Sequence, residues 1–165
     1  MFSLQDGTGA YWCYDRYHLH RGSSCPVDTV AKRKHIFKLV TNYDDKSVPI
    51  DKCAIKYAYD DSFWIQIQNK IVSDPTDKSL FVVTKITPSS DRVLFRMFYD
   101  ESRSKYLSKV DHEHVAASIS FPCNNWDCEF QVNDLTNAYD VNELLAAANA
   151  NQGIQLNYLS EGKFH

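Results

Sequence analysis

The chain has 165 residues, of which 44% are hydrophobic and 24% charged, and its formal net charge at pH 7 is −3. A chain of this length buries roughly two-thirds of the surface of its unfolded state, so we expect one soluble domain spanning residues 1–165. The near balance of charge argues against nucleic acid as a partner, and no apolar run is long enough for a membrane span. An aromatic content of 13% with five glycines and five prolines excludes a disordered or collagen-like chain.

Large amphipathic aromatic residues cluster near the N-terminus, at Tyr11, Trp12, Tyr14 and Tyr17. Because successive side chains of a strand point to opposite faces, these four cannot all face one core. Exposed Tyr and Trp side chains are typical of recognition hot spots. We therefore predict that these residues, together with Trp126, form a protein-binding surface. The alternative is a sheet that is covered on both faces and buries both sets of rings.

The five cysteines predict two local disulfides and one free thiol. Cys13 and Cys25 flank a polar stretch that suits one bridge. Cys123 and Cys128 bracket four residues and fit the mouth of a hairpin, where a strain-free bridge needs Cβ atoms about 4 Å apart. Cys53 is the odd thiol and should be buried on a strand. The alternative is that all five are reduced thiols of a cytoplasmic protein.

Alternation of apolar and polar residues is the main signal in the middle of the chain, and it predicts strands. One strand covers residues 53–59, and a second begins at Phe63 with Ile65 and Ile67 on the same face. The acidic pair at 60–61 between them predicts a hairpin turn.

Two more strands are predicted at residues 80–87 and 92–99, with a turn at 88–91.

The last third of the chain predicts a hairpin followed by a helix. Residues 115–121 and 128–132 alternate and should pair with each other around the two cysteines. A capping pattern at 140–143 precedes a Leu- and Ala-rich run, which predicts a helix over about 140–151. A final strand is expected at 154–158. The predicted fold is therefore an antiparallel β-sandwich or open barrel with one C-terminal α-helix.

Four of the six histidines form two His-x-His pairs, His18 with His20 and His112 with His114. On a strand this spacing places both imidazoles on one face, and two such strands can chelate a metal ion. The alternative is that both pairs are solvated surface residues, because nothing in the sequence brings them together. No phosphate-binding loop or nucleophile elbow occurs, so we expect no catalytic residues and no cofactor.

The segment Ile119–Val132, ISFPCNNWDCEFQV, resembles the closing segment of bacterial invasion-associated locus B proteins. The early Trp12–Cys13 pair with Cys25 downstream is also similar. The resemblance covers about the last third of the chain, and the middle of the chain lacks the pattern. It implies an exported β-sandwich protein of a bacterial envelope, with a role in host or envelope interaction and without established catalytic residues.

Together these features predict an exported, periplasmic or secreted, non-enzymatic protein that acts by binding another protein. One alternative is a small cytoplasmic inhibitor or immunity protein that neutralises a partner toxin or enzyme. A second alternative is a metal-dependent enzyme that uses His18, His20, His112 and His114.

Overall fold

A computed structural model describes residues 1–22, 29, 32–85, 92–98, 104–110, 114–120 and 128–134. Within these ranges the chain forms almost no helix, and its paired strands are all antiparallel. The mainly β, antiparallel class is therefore confirmed. The twelve strands are β1 (Phe2–Asp6), β2 (Trp12–Asp15), β3 (His18–Arg21), β4 (Phe37–Val40), β5 (Ala54–Tyr57), β6 (Phe63–Ile67), β7 (Lys70–Asp74), β8 (Phe81–Lys85), β9 (Arg92–Phe98), β10 (Ser104–Lys109), β11 (Val115–Ser120) and β12 (Phe130–Asp134).

The strands form one sheet that curls back on itself. Its order is β11-β10-β9-β12-β1-β4-β5-β6-β7-β3-β2, with β8 added against β9. Single bridges join strands that are distant in this order, among them His20 with His114. This bridge brings β11, at one end of the order, against β3 near the other end. We call this junction of β3 and β11 the closing seam.

The hairpin predicted around residues 60–61 is confirmed. Ser62 donates its backbone N–H to Asp60 Oδ1 at 3.0 Å, and Asp61 has a positive φ of 62°. Both faces of β6 are buried at the start of the strand, because Phe63 packs into a smaller apolar cluster and Trp64 into the main core, whereas Ile67 at its end is exposed. Period-two alternation gave both faces of this strand a large apolar residue, and the larger indole ring occupies the core.

The hairpin predicted from residues 115–121 and 128–132 is also wrong in its pairing, although both strands exist. β11 pairs with β10, and β12 lies between β1 and β9, with Leu4 opposite Val132 and Phe130 opposite Val93. Alternation indicates which face of a strand is buried but not which strand lies beside it. The predicted turn at 88–91, the helix over 140–151 and the strand at 154–158 lie outside the described residues.

The main core is aromatic and fills the inside of the curl. Its largest fully buried side chains include Trp12, Tyr57, Trp64 and Phe130. Trp12 and Phe130 meet edge to face with ring centroids 4.5 Å apart, a favourable geometry for aromatic pairs. The described part of the chain has no helix whose length and apolar character would allow it to span a bilayer.

A buried carboxylate organises the connection between β1 and β2. Asp6 accepts hydrogen bonds from the backbone N–H groups of Thr8 at 2.9 Å and Ala10 at 3.2 Å. Its second oxygen accepts from the indole of Trp12 and from the guanidinium of Arg21. Burial raises the pKa of Asp6, but the hydrogen bonds from Thr8 and Arg21 outweigh it and leave the pKa below its ordinary value. This hub ties the β1 end to β2 and β3.

Candidate metal centre

Two of the candidate ligands sit on β3 because a tight hairpin joins β2 to β3. The turn residues Arg16 and Tyr17 have φ values of 50° and 67°, as both central residues of a two-residue type I′ turn require. Neither is the Gly or Asn that usually occupies such positions, so the turn carries backbone strain. It places His18 opposite Asp15 in the strand register.

Strand alternation then puts the two histidines on one face. Leu19 and its partner Tyr14 point into the main core, so His18 and His20 point to the opposite face of β3. His20 is only 6% exposed, whereas His18 is half-buried. The predicted shared face of this His-x-His pair is confirmed.

The closing seam adds a third imidazole. His114 forms the β-bridge with His20 and is half-buried. The ring centroids lie 5.5 Å apart for His18 and His20, 5.4 Å for His20 and His114, and 6.0 Å for His18 and His114. One nitrogen from each ring lies within 4.8 Å of the others. We call these three residues the histidine triad.

The spacing of the histidine triad is near that of a metal site. Zn–N bonds of about 2.0–2.1 Å in a tetrahedron place ligand nitrogens about 3.3 Å apart. The donor nitrogens lie within 4.8 Å of one another, so binding a metal ion would require the side-chain torsions of the rings to bring them closer together. Three imidazoles suit zinc, copper, iron or nickel, and they leave at least one coordination position for another ligand.

The electrostatics around His18 favour the neutral ring. Burial lowers the pKa of His18, and the positive charge of Lys70 and the neighbouring His114 lower it further, while Asp15 opposes them. A neutral imidazole is the form that binds a metal ion. Near neutral pH, protons therefore compete less with a metal ion for the His18 nitrogen than they would in an exposed histidine.

The sequence prediction named four histidines, and the structure brings three of them together. His112 lies outside the described residues. Asp15 and Lys70 beside the triad were missed. Asp15 lies on β2 and Lys70 on β7, the two strands that flank β3. No sequence motif links either residue to the histidines.

The predicted aromatic surface needs a correction. Trp12 and Tyr14 are buried in the main core, since they occupy the inward positions of β2, so their rings are not available to a partner. Tyr11 is half exposed, and Tyr17 is 71% exposed at the tip of the β2–β3 hairpin. Trp126 lies outside the described residues.

The described cysteines are all buried. Cys53 is a reduced thiol in the core, as predicted for the odd cysteine, and its Sγ lies 3.5 Å from the carbonyl oxygen of Phe81. Cys13 and Cys128 are disulfide-bonded cysteines. Cys25 and Cys123, their predicted partners, lie outside the described residues, so both pairings stay predictions.

The resemblance of residues 119–132 to invasion-associated locus B proteins stays a prediction, since no relative tests it. Neither a protein-family model nor a curated protein matches the chain.

Proposed function

We propose that the protein binds one divalent transition-metal ion through His18, His20 and His114. The observation that supports it is the convergence of three imidazoles across the closing seam, with donor nitrogens within 4.8 Å of one another. The two sides of the site come from parts of the chain more than ninety residues apart, so their meeting depends on the fold and not on local sequence.

The donor set favours particular ions. Imidazole nitrogen is a borderline-soft donor that binds Zn²⁺, Cu²⁺ and Ni²⁺ well. Ca²⁺ and Mg²⁺ prefer oxygen ligands, and the triad offers none. The site should therefore select transition metals over the alkaline-earth ions.

Isothermal titration of chelator-treated protein with ZnCl₂ tests the proposal. We expect one ion per chain and at least a tenfold lower affinity in each of His18→Gln, His20→Gln and His114→Gln, since each removes one of three ligands. His35→Gln is the matched control, because His35 is a half-buried histidine outside the triad. Absence of stoichiometric binding, or full affinity in His114→Gln, refutes the proposal.

A second candidate function is binding of another protein by an exported, periplasmic or secreted molecule without enzymatic activity. The exposed ring of Tyr17, held at the tip of a strained turn, favours it. A rigid aromatic side chain supplies contact area at a low entropic cost. An inhibitor or immunity protein of the cytoplasm would use the same surface, and a metal-dependent enzyme would use the triad.

Counting the thiols distinguishes the hypothesis of an exported protein from that of a cytoplasmic protein. Under denaturing conditions, alkylation of purified protein should label Cys53 alone if the other four cysteines are bridged. Five labelled thiols in protein prepared without reductant would contradict export.

The proposed binding surface is tested by substitution of its exposed ring. Tyr17→Ala should weaken a partner complex, whereas Tyr43→Ala, at a similarly exposed ring on another loop, should not.

A further inference from the structure

We propose that the metal centre takes a small oxyanion, such as a carboxylate, as an exogenous ligand, and that Lys70 supplies the opposing charge. This inference rests on the proposed metal binding and names the class of ligand that completes the site.

The coordination shell is incomplete on the protein side. Of the residues that the structure describes, only three side chains form a group able to share a metal ion. Three protein ligands with a fourth position open to water or substrate are the pattern of catalytic zinc sites, whereas structural sites have four. His18 and His114 are only half-buried, so a small molecule from solvent can reach this position.

Lys70 lies on the same face as the triad. β7 runs antiparallel to β3 with Val72 opposite His18, and Lys70 is two residues from Val72. Residues two apart on a strand share a face, so Lys70 is a diagonal neighbour of His18. Diagonal neighbours in a sheet lie about 7–8 Å apart, which is within reach of a long side chain.

Lys70 is also the uncompensated charge of this group. Arg16 and Asp15 lie beside His18 and face each other, with Arg16 Nε 3.7 Å from Asp15 Oδ2. Lys70, by contrast, is exposed and forms no ion pair with another residue in the described ranges. A bound dication and a free ammonium group on one face create a positive potential that attracts an anion.

Cobalt-substituted protein provides the test, because the visible absorption of Co²⁺ changes when its ligands change. Co²⁺ affinity is measured first, and formate and acetate are then titrated as probe oxyanions. We expect both anions to alter the spectrum and Lys70→Met to weaken their binding about three- to tenfold, the effect of one nearby charge in a partly solvated site. Lys70→Arg should retain most of the affinity.

The controls distinguish this inference from the proposed function. Lys46→Met removes an exposed lysine of the β4–β5 connection and should leave anion binding unchanged. If Co²⁺ binds but neither anion alters its spectrum, or if Lys70→Met binds both anions as the parent protein does, the inference is wrong while metal binding stands. If Co²⁺ does not bind, the proposed function itself fails.

Discussion

Replacing Asp6 with Asn should destabilise the protein strongly, because it leaves a buried cation without its partner. The side chains of Arg21 and Asp6 are only 12% and 8% exposed, and they form an ion pair with a hydrogen bond. Removing one member of such a buried pair typically costs about 3–5 kcal/mol. The Asn side chain keeps one oxygen for the N–H groups of Thr8 and Ala10, so the loss should come mainly from Arg21.

Urea unfolding monitored by tryptophan fluorescence measures this cost. For a chain of this size, about 3–5 kcal/mol corresponds to a fall in Tm of roughly 6–20 °C. The double variant Asp6→Asn with Arg21→Met should be more stable than the sum of the two single losses indicates, because it removes both charges together. Asp51→Asn, at an exposed position, is the control and should leave the unfolding midpoint unchanged.

The same pair should make stability depend on acid pH. Because the pKa of Asp6 is below its ordinary value of 3.8 in the folded protein, the stabilisation is fully present above that value. It is lost as the pH falls from 3.8 through the folded pKa, and Asp6→Asn should flatten this part of the profile. A loss under 1 kcal/mol in Asp6→Asn, or strictly additive single effects, would refute the role assigned to the hub.

Three further predictions follow from the core and the seam. Burial raises the pKa of Tyr14 to about 12, and the carboxylate of Asp60, which accepts a hydrogen bond from the Tyr14 hydroxyl at an O–O distance of 2.8 Å, contributes to this rise. Its neutral form therefore stabilises the fold below pH 10, and this contribution is lost as the pH rises through 12, so Tyr14→Phe should lessen the decline in alkaline unfolding curves. Trp64→Ala should cost about 3–5 kcal/mol in urea unfolding because Trp64 is fully buried, whereas Tyr43→Ala, at an exposed ring, should change stability by less than about 0.5 kcal/mol. Zn²⁺ should slow amide hydrogen exchange in β3 and β11 but not in β4 and β5, and equal protection of all four strands would contradict a site at the closing seam.

The sequence predicted the strands better than it predicted their neighbours. Alternation located β5, β6, β8 and β9, because a half-buried strand needs one apolar face. It failed for the pairing of β11 with β12, since several strands present compatible apolar faces. Non-local pairing depends on how the whole sheet curls, and no short window of sequence contains that information.

The histidine triad could likewise be predicted from the sequence only in part. The spacing of His18 and His20 was enough to place both rings on one face of a strand. The arrival of His114 depends on the bridge across the closing seam, and the nearby Lys70 depends on the pairing of β7 with β3. Ligand types were visible in the sequence, but their convergence was not.

The bridge between residues 20 and 114 also has a kinetic consequence. It is a contact of high sequence separation, and contacts of this kind carry a large loop-closure cost that slows folding. We expect the seam to close late, after the hairpins have formed, so the three imidazoles meet only when the sheet is nearly complete. A metal ion that binds them would then act mainly after the folding transition state. It would slow unfolding while leaving the rate of folding almost unchanged, so metal binding would lengthen the lifetime of the folded state.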